Sequence, residues 1–211
     1  MITAKKYLQS LRYSFYLIFH PFKGFWNLKH DEKMGTLASA NTIVFLLFVV
    51  MTLRRQVTGF ILNYNEISEM NIIIQFCSVV LPFVLWCVSN WCITTLVDGE
   101  GKFLDIYIAS AYALVPVVLI NIPLLVMSNL ITIKEAAFYN FFDSVSIIWT
   151  VFLFLVGIMT VHQFTMPKTI GTILVALLGM VIIVFLFVLF FALIQQLINF
   201  VILLVKEVQM L

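Results

Sequence analysis

The sequence predicts an all-α, polytopic integral membrane protein with five transmembrane helices. Of its 211 residues, 63% are hydrophobic, and the mean hydropathy is +1.11. Asp, Glu, Lys, Arg and His are missing from five long runs. An apolar run of about 18 residues can cross a bilayer core of roughly 30 Å as a helix. The charge-free runs are residues 34–53, 72–97, 106–133, 144–161 and 169–205.

Each charge-free run predicts one span, and the polar ends predict flanking segments. Pro82 in the second run, and Pro116 and Pro123 in the third, remove backbone hydrogen bonds and predict kinked helices. The predicted spans are residues 37–56, 72–97, 105–131, 144–164 and 170–194. The predicted domains are a cytoplasmic interfacial segment at 1–33, a membrane domain at 34–194 and a C-terminal interfacial helix at 195–211.

The N-terminal segment carries an apolar stripe at helical spacing. Leu8, Leu11, Phe15 and Ile18 recur every three or four residues, and most of the nearby basic residues lie on the other side of the predicted helix. Basic amphipathic helices are typical of the membrane surface, where the apolar face enters the lipid. The segment therefore either orients the protein or binds a specific partner.

The distribution of basic residues predicts the orientation. Six of the twelve Lys and Arg residues precede the first span, and basic residues favour the cytoplasmic side. We therefore expect a multi-pass protein of the cell membrane with a cytoplasmic N-terminus. Five spans then place the C-terminus outside the cytoplasm. The six basic residues are Lys5, Lys6, Arg12, Lys23, Lys29 and Lys33.

The absence of charge within the runs also limits the function. Proton relays, ion-coupled carriers and intramembrane hydrolases usually need ionisable groups at depth. The sequence contains no phosphate-binding glycine loop, no His-Glu-x-x-His zinc pair and no Gly-x-Ser-x-Gly elbow. We therefore expect no catalytic residue, no cofactor, no metal site and no nucleic-acid partner.

The polar residues between and within the spans are candidate interaction sites. The turn formed by Asp98, Gly99, Glu100 and Gly101 either binds a cation or a basic partner, or is a solvated connection between two spans. Asn121 in the third run is an amide at membrane depth. Such an amide hydrogen-bonds another helix or contacts a substrate.

The fifth run is too long for one crossing. Its 37 residues would form a helix of about 55 Å. Gln195, Gln196 and Asn199 interrupt its apolar character near the end. Either the chain bends there and residues 197–211 lie on the outer surface, or the helix packs against another protein. We expect the main partner surface on residues 197–211 together with the third span.

A family resemblance appears around the turn between the second and third spans. The stretch from Asp98 to Asp105 is followed by Tyr107 and, in the third span, by Tyr112 and Pro116. This pattern resembles the Yip domain (Ypt/Rab-interacting protein family), which has a glycine-containing turn and then a Tyr-x-Leu-x-Pro type segment. The segment 19–26 and the C-terminal end are similar to those of bacterial members.

The resemblance implies an accessory role in the membrane. Eukaryotic members carry a long cytosolic N-terminal region and act in vesicle traffic with small GTPases, whereas this chain has about 35 residues before its first span. Bacterial relatives are often encoded beside carbohydrate ABC importers. Three functions follow: a non-catalytic scaffold or accessory subunit beside other membrane subunits, such as ABC permease subunits; a small homo-oligomeric transporter or channel; or a membrane-trafficking or membrane-shaping adaptor.

Overall fold

The structure, a computed structural model, describes residues 4–31, 35–60, 62–63 and 71–209. Within these residues the fold is all-helical, and five segments are long and apolar enough to cross a membrane, which confirms the predicted fold class. The helices are α1 (Ala4–Phe19), α2 (Pro21–His30), α3 (Leu37–Val57), α4 (Ile72–Leu96), α5 (Phe103–Ala113), α6 (Val115–Ser128), α7 (Ala136–His162) and α8 (Met166–Gln209). A one-turn 3₁₀ helix, Ile133–Glu135, precedes α7.

The third span lies at the centre of the bundle. It consists of α5 and α6 in succession, and it contacts α3, α4 and α7. Of an apolar 18-residue stretch of this span 61% is buried, compared with 6% of such a stretch in α8. The third span therefore provides the core, and α8 contributes little to it.

The predicted kink in the third span is a one-residue interruption of the helix at Leu114. Pro116 is the second residue of α6, a position where a helix does not need the missing backbone N–H. Ending α5 at Ala113 and starting α6 at Val115 thus accommodates the proline without loss of a helical hydrogen bond. By contrast, Pro82 lies inside α4, which continues through it.

The fourth span starts earlier than the sequence predicts. It begins with α7 at Ala136 rather than at residue 144, so Asp143 lies inside the helix. The charge can lie there because Arg54 of α3 pairs with it. Charge-free runs mark the apolar part of a span, whereas a paired charge extends the helix beyond that part.

The two N-terminal helices pack against one end of the bundle. We call this end, where the turns after α4 and α7 also lie, the N-terminal face. The aromatic ring of Phe25 in α2 is fully buried and contacts Gly157 of α7. In α1 the buried residues are Ser10, Ser14 and Leu17 rather than the apolar stripe. Of the stripe, Leu8 and Phe15 are exposed and can face lipid, whereas Leu11 and Ile18 are partly buried and pack against the core.

The helix α8 packs on α4 through its first half only. The Ser89 hydroxyl donates a hydrogen bond to the Ala176 carbonyl oxygen at 2.5 Å, and Gly179 leaves room for the same side chain. Small residues permit this kind of close helix approach in membranes. Between Met166 and Gln209 the helix is continuous, so the bend near Gln195 that the sequence offers as one alternative is not present.

Candidate interaction sites

A cluster of three buried hydroxyl groups fastens α1 to the bundle. Tyr112 Oη lies 2.7 Å from Ser10 Oγ and 2.8 Å from Ser39 Oγ, and the two serine hydroxyls lie 2.8 Å apart. Tyr112 also donates to the Ser10 carbonyl oxygen at 3.0 Å. The three residues come from α5, α1 and α3. Tyr112 is therefore an internal fastening point for the N-terminal helices.

Replacing Tyr112 with Phe is expected to loosen α1 while the five-span bundle stays folded. The variant removes one hydroxyl from the cluster, and the loss of a buried hydrogen-bond partner costs about 1 to 3 kcal/mol. Limited proteolysis in mild detergent should then cleave near α1 faster than in the wild type. Tyr139→Phe is the matched control, because it removes a tyrosine hydroxyl near the opposite face. Equal cleavage rates in the wild type and in Tyr112→Phe would contradict this role.

The third-span residues that the sequence marks as candidates for partner contact are buried within the chain. Tyr112, Pro116 and Asn121 all face the interior, because α3, α4 and α7 surround this span. Asn121 is satisfied within the chain: its Oδ1 accepts from Arg54 and its Nδ2 donates to the Val117 carbonyl oxygen. The amide thus joins helices of the same chain. In contrast, both polar atoms of the buried Asn90 side chain have no hydrogen-bond partner within the described part of the chain.

The turn between α4 and α5 is packed against the end of α7. Gly101 donates its backbone N–H to His162 Nδ1 at 3.3 Å. A Cβ atom on Gly99 would lie 2.5 Å from the same nitrogen. Asp98 has a positive φ of 56°, and the Gly99 N–H bonds back to the Thr94 carbonyl oxygen. The two glycines therefore allow the turn to approach the buried imidazole ring.

Charged side chains hold the same turn from two sides. Lys29 of α2 donates to the Val161 carbonyl oxygen at 2.8 Å and forms an ion pair with Glu100 at 3.4 Å. Lys168 of α8 donates to the Val97 carbonyl oxygen at 2.9 Å and lies over a phenylalanine ring. Glu100 thus has a basic partner within its own chain, which favours an architectural role for the turn.

A polar cluster at the opposite face was not identified from the sequence. The Arg54 guanidinium donates to both carboxylate oxygens of Asp143, at 2.7 and 2.8 Å, and also to Asn121 Oδ1 at 2.8 Å. The Tyr139 ring lies beneath the guanidinium at 5.8 Å. Such bidentate pairs are the stronger arginine–carboxylate contacts. In the sequence, Arg54 directly follows the first charge-free run and Asp143 directly precedes the fourth. These opposite charges at the ends of two spans are the feature from which the pair could have been predicted.

Beside this cluster lies a polar cavity of about 440 Å³. Arg55 lines it and donates to Gln75 at 3.3 Å, whereas its Nε is buried without a hydrogen-bond partner in the described part of the chain. The other lining residues include Tyr139 and Asn140. The segment 64–70, which carries Glu66 and Glu69, is outside the described residues, so we assign no ligand to this cavity.

The polar residues near the end of α8 lie where the helix leaves the bundle. Lys168 is beside Val97, and α8 runs antiparallel to α4, which has 25 residues. Both helices rise by the same distance per residue, so about 25 residues of α8, counted from Lys168, run the length of α4. The start of α4 is therefore level with about Leu193 of α8. Gln195, Gln196 and Asn199 come next and are exposed. The remainder of α8 therefore extends beyond the helix on which it packs.

Comparison with known proteins gives one family match. No curated protein and no solved structure matches the chain. A family model described as the Yip1 domain matches residues 15–205, from the last turns of α1 to near the end of α8. The match includes the five spans, the turn with Gly99 and Gly101, and Tyr112. Since it covers nearly the whole chain, the protein belongs to the Yip1 domain family.

Proposed function

We propose that this chain is a non-catalytic subunit of a membrane complex and that it holds its partner through the last part of α8. The observation that carries the proposal is the length of this helix. α8 has 44 residues, whereas the neighbouring α4 has 25. Within the part of the chain that the structure describes, the additional residues continue past the start of α4 and their apolar side chains are exposed.

The composition of this extension favours a protein partner. From Phe200 to Val205 every residue is apolar and exposed. A helix that is apolar on all sides is usually surrounded by other protein or by lipid. Gln195, Gln196 and Asn199 precede this part and offer amide groups, and amides hydrogen-bond across helices in membranes. Apolar helices from another membrane protein would satisfy both features.

The partner we propose is another integral membrane subunit. The family resemblance implies a carbohydrate ABC importer as one such complex. The basic residues support a cytoplasmic N-terminal face: eight of the twelve precede α3 or lie beside the turns after α4 and α7. In this arrangement the extension of α8 lies on the outer side of the membrane, and docking occurs there.

Truncation after Ile194 should leave insertion into the membrane intact and abolish co-purification of the partner. The bundle keeps its α4–α8 contacts, because Ala176 and Gly179 are retained. The measurement is purification from native membranes in mild detergent, followed by mass spectrometry of the co-eluting subunits and their stoichiometry.

A second truncation after Lys206 is the matched control. It removes residues 207–211 but keeps the apolar stretch from Phe200 to Val205, so we expect the partner to remain bound. The proposal is supported if an ABC permease or another membrane subunit co-purifies stoichiometrically with the full chain. That subunit should also co-purify with the chain truncated after Lys206 and be lost from the chain truncated after Ile194. Full partner occupancy after truncation at Ile194 would contradict the proposal. The basic N-terminal helix α1 would then be the next candidate for the docking site. Elution as a homo-oligomer without a second protein would favour a transporter or channel instead.

A further inference from the structure

We propose that the groove between α1 and α2 binds the phosphate headgroup of an anionic phospholipid. The groove has a volume of about 910 Å³. Its lining residues all belong to these two helices. This inference goes beyond the docking role of α8 and does not depend on it. Its lining residues are Gln9, Arg12, Tyr13, Phe15, Tyr16, Lys23 and Asn27.

The charge of the groove favours an anion. Arg12 on α1 and Lys23 on α2 are its two charged lining residues, both are exposed, and the lining contains no carboxylate. The ion pairs among the described residues involve Lys29 and Arg54, so neither cation in the groove is neutralised by such a pair. Arg and Lys are the usual ligands of phosphate groups, Arg through its planar fork of donors.

The remaining polar lining adds donors that a phosphate ester can use. Gln9 and Asn27 provide side-chain amides on the two sides of the groove. Burial raises the pKa of Tyr13, so its phenol is neutral near pH 7, and it donates to the Gly24 carbonyl oxygen at 3.1 Å. That bond joins α1 to the beginning of α2 and fixes the width of the groove. The two cations are thus held on helices with a defined spacing.

An adjoining apolar surface indicates a lipid rather than a soluble anion. Phe15 lines the groove and is 53% exposed, and Phe19 on the same helix is 77% exposed. Leu8, Phe22 and Trp26 extend this surface along both helices. Acyl chains would cover these side chains, whereas free phosphate would leave them in water.

The position of the groove relative to the spans agrees with a headgroup site. Tyr7 of α1 shares a hydrogen bond of 2.7 Å with Thr42, near the start of α3, and Ser10 bonds to Ser39. The two helices therefore lie at the level where a span begins, which is the region of lipid headgroups. Basic residues close to such a surface attract anionic lipids, each by about 1 kcal/mol, which corresponds to about five-fold in affinity.

The test is native mass spectrometry of the full chain in detergent, titrated with dioleoylphosphatidylglycerol. We expect the Arg12→Gln/Lys23→Gln variant to bind this lipid about 25-fold more weakly, since two basic residues are lost. The Lys102→Gln/Lys134→Gln variant is the matched control, because it removes the same charge from exposed positions outside the groove. It should bind as the wild type does.

Three further measurements complete the test. The charge-preserving Arg12→Lys/Lys23→Arg variant should keep affinity within about three-fold, which separates charge from any effect on folding. Zwitterionic dioleoylphosphatidylcholine should bind weakly, and millimolar sodium phosphate should not displace phosphatidylglycerol. The inference is overturned if the groove variant binds phosphatidylglycerol normally or if the control variant loses as much affinity. It is also overturned if free phosphate displaces the lipid, because the site would then accept a soluble anion.

Discussion

Replacing Asp143 with Asn is expected to lower the free energy of unfolding by about 2 kcal/mol. The carboxylate accepts two short hydrogen bonds from Arg54, and the amide of Asn cannot accept both. Removing one partner of a buried ion pair costs about 3 to 5 kcal/mol, and this pair is partly exposed, so the cost is reduced. The measurement is the unfolding of the variant and the wild type in mild detergent under matched conditions.

Two further variants separate the ion pair from a general effect of charge. Exchanging the two groups, Arg54→Asp together with Asp143→Arg, restores an attractive pair and should recover part of the loss. Arg55→Gln removes a neighbouring positive charge. Among the described residues, the Arg55 side chain makes one longer hydrogen bond, to Gln75, so this variant should cost less. An Asp143→Asn variant as stable as the wild type would show that the pair is not important for folding.

The spans were predictable because the membrane imposes one simple requirement on the sequence. Charges are costly in hydrocarbon, so their absence over residues 34–53 or 72–97 marks a crossing without any knowledge of packing. The pair formed by Arg54 and Asp143 was not predictable in the same way. Its members are 89 positions apart, and their contact depends on how α3 and α7 are arranged around α6.

In the N-terminal segment too, the sequence predicted the helix but not its contacts with the rest of the chain. Helical periodicity predicted an amphipathic helix, and α1 is one. The periodicity emphasised the apolar stripe, yet Ser10 and Ser14 are buried against the bundle. Small polar residues can be buried when another helix supplies hydrogen bonds, as Ser39 and Tyr112 do here. The sequence pattern of a single helix does not show which residue of another helix will bond to it. Tyr112 could therefore be named as a candidate interaction residue, but its role in attaching α1 could not be predicted.

The turn between α4 and α5 leads to the second strong expectation, that Gly101→Ala destabilises the protein by about 1 to 3 kcal/mol. A Cβ atom at this position would lie 2.5 Å from Val161 Cγ1 and 2.7 Å from His162 Cε1. Both neighbours are buried, so neither can move into open space. The turn must then withdraw from α7, and the hydrogen bond from the Gly101 N–H to His162 Nδ1 is lost. Thermal unfolding in detergent measures the change.

Gly171→Ala is the matched control for this prediction. It lies inside α8, and apart from its chain neighbours and the backbone of its own helix no atom of the described residues lies within 4 Å of the position its Cβ would take. Alanine is the better helix former by about 1 kcal/mol, so this variant should be as stable as the wild type or more stable. Gly99→Ala should resemble Gly101→Ala, because its Cβ would meet the same imidazole ring and the Thr94 carbonyl oxygen. If both turn variants were as stable as Gly171→Ala, the turn would be a loosely attached solvated connection. If both are destabilised, the glycines are required because the turn packs directly on the end of α7.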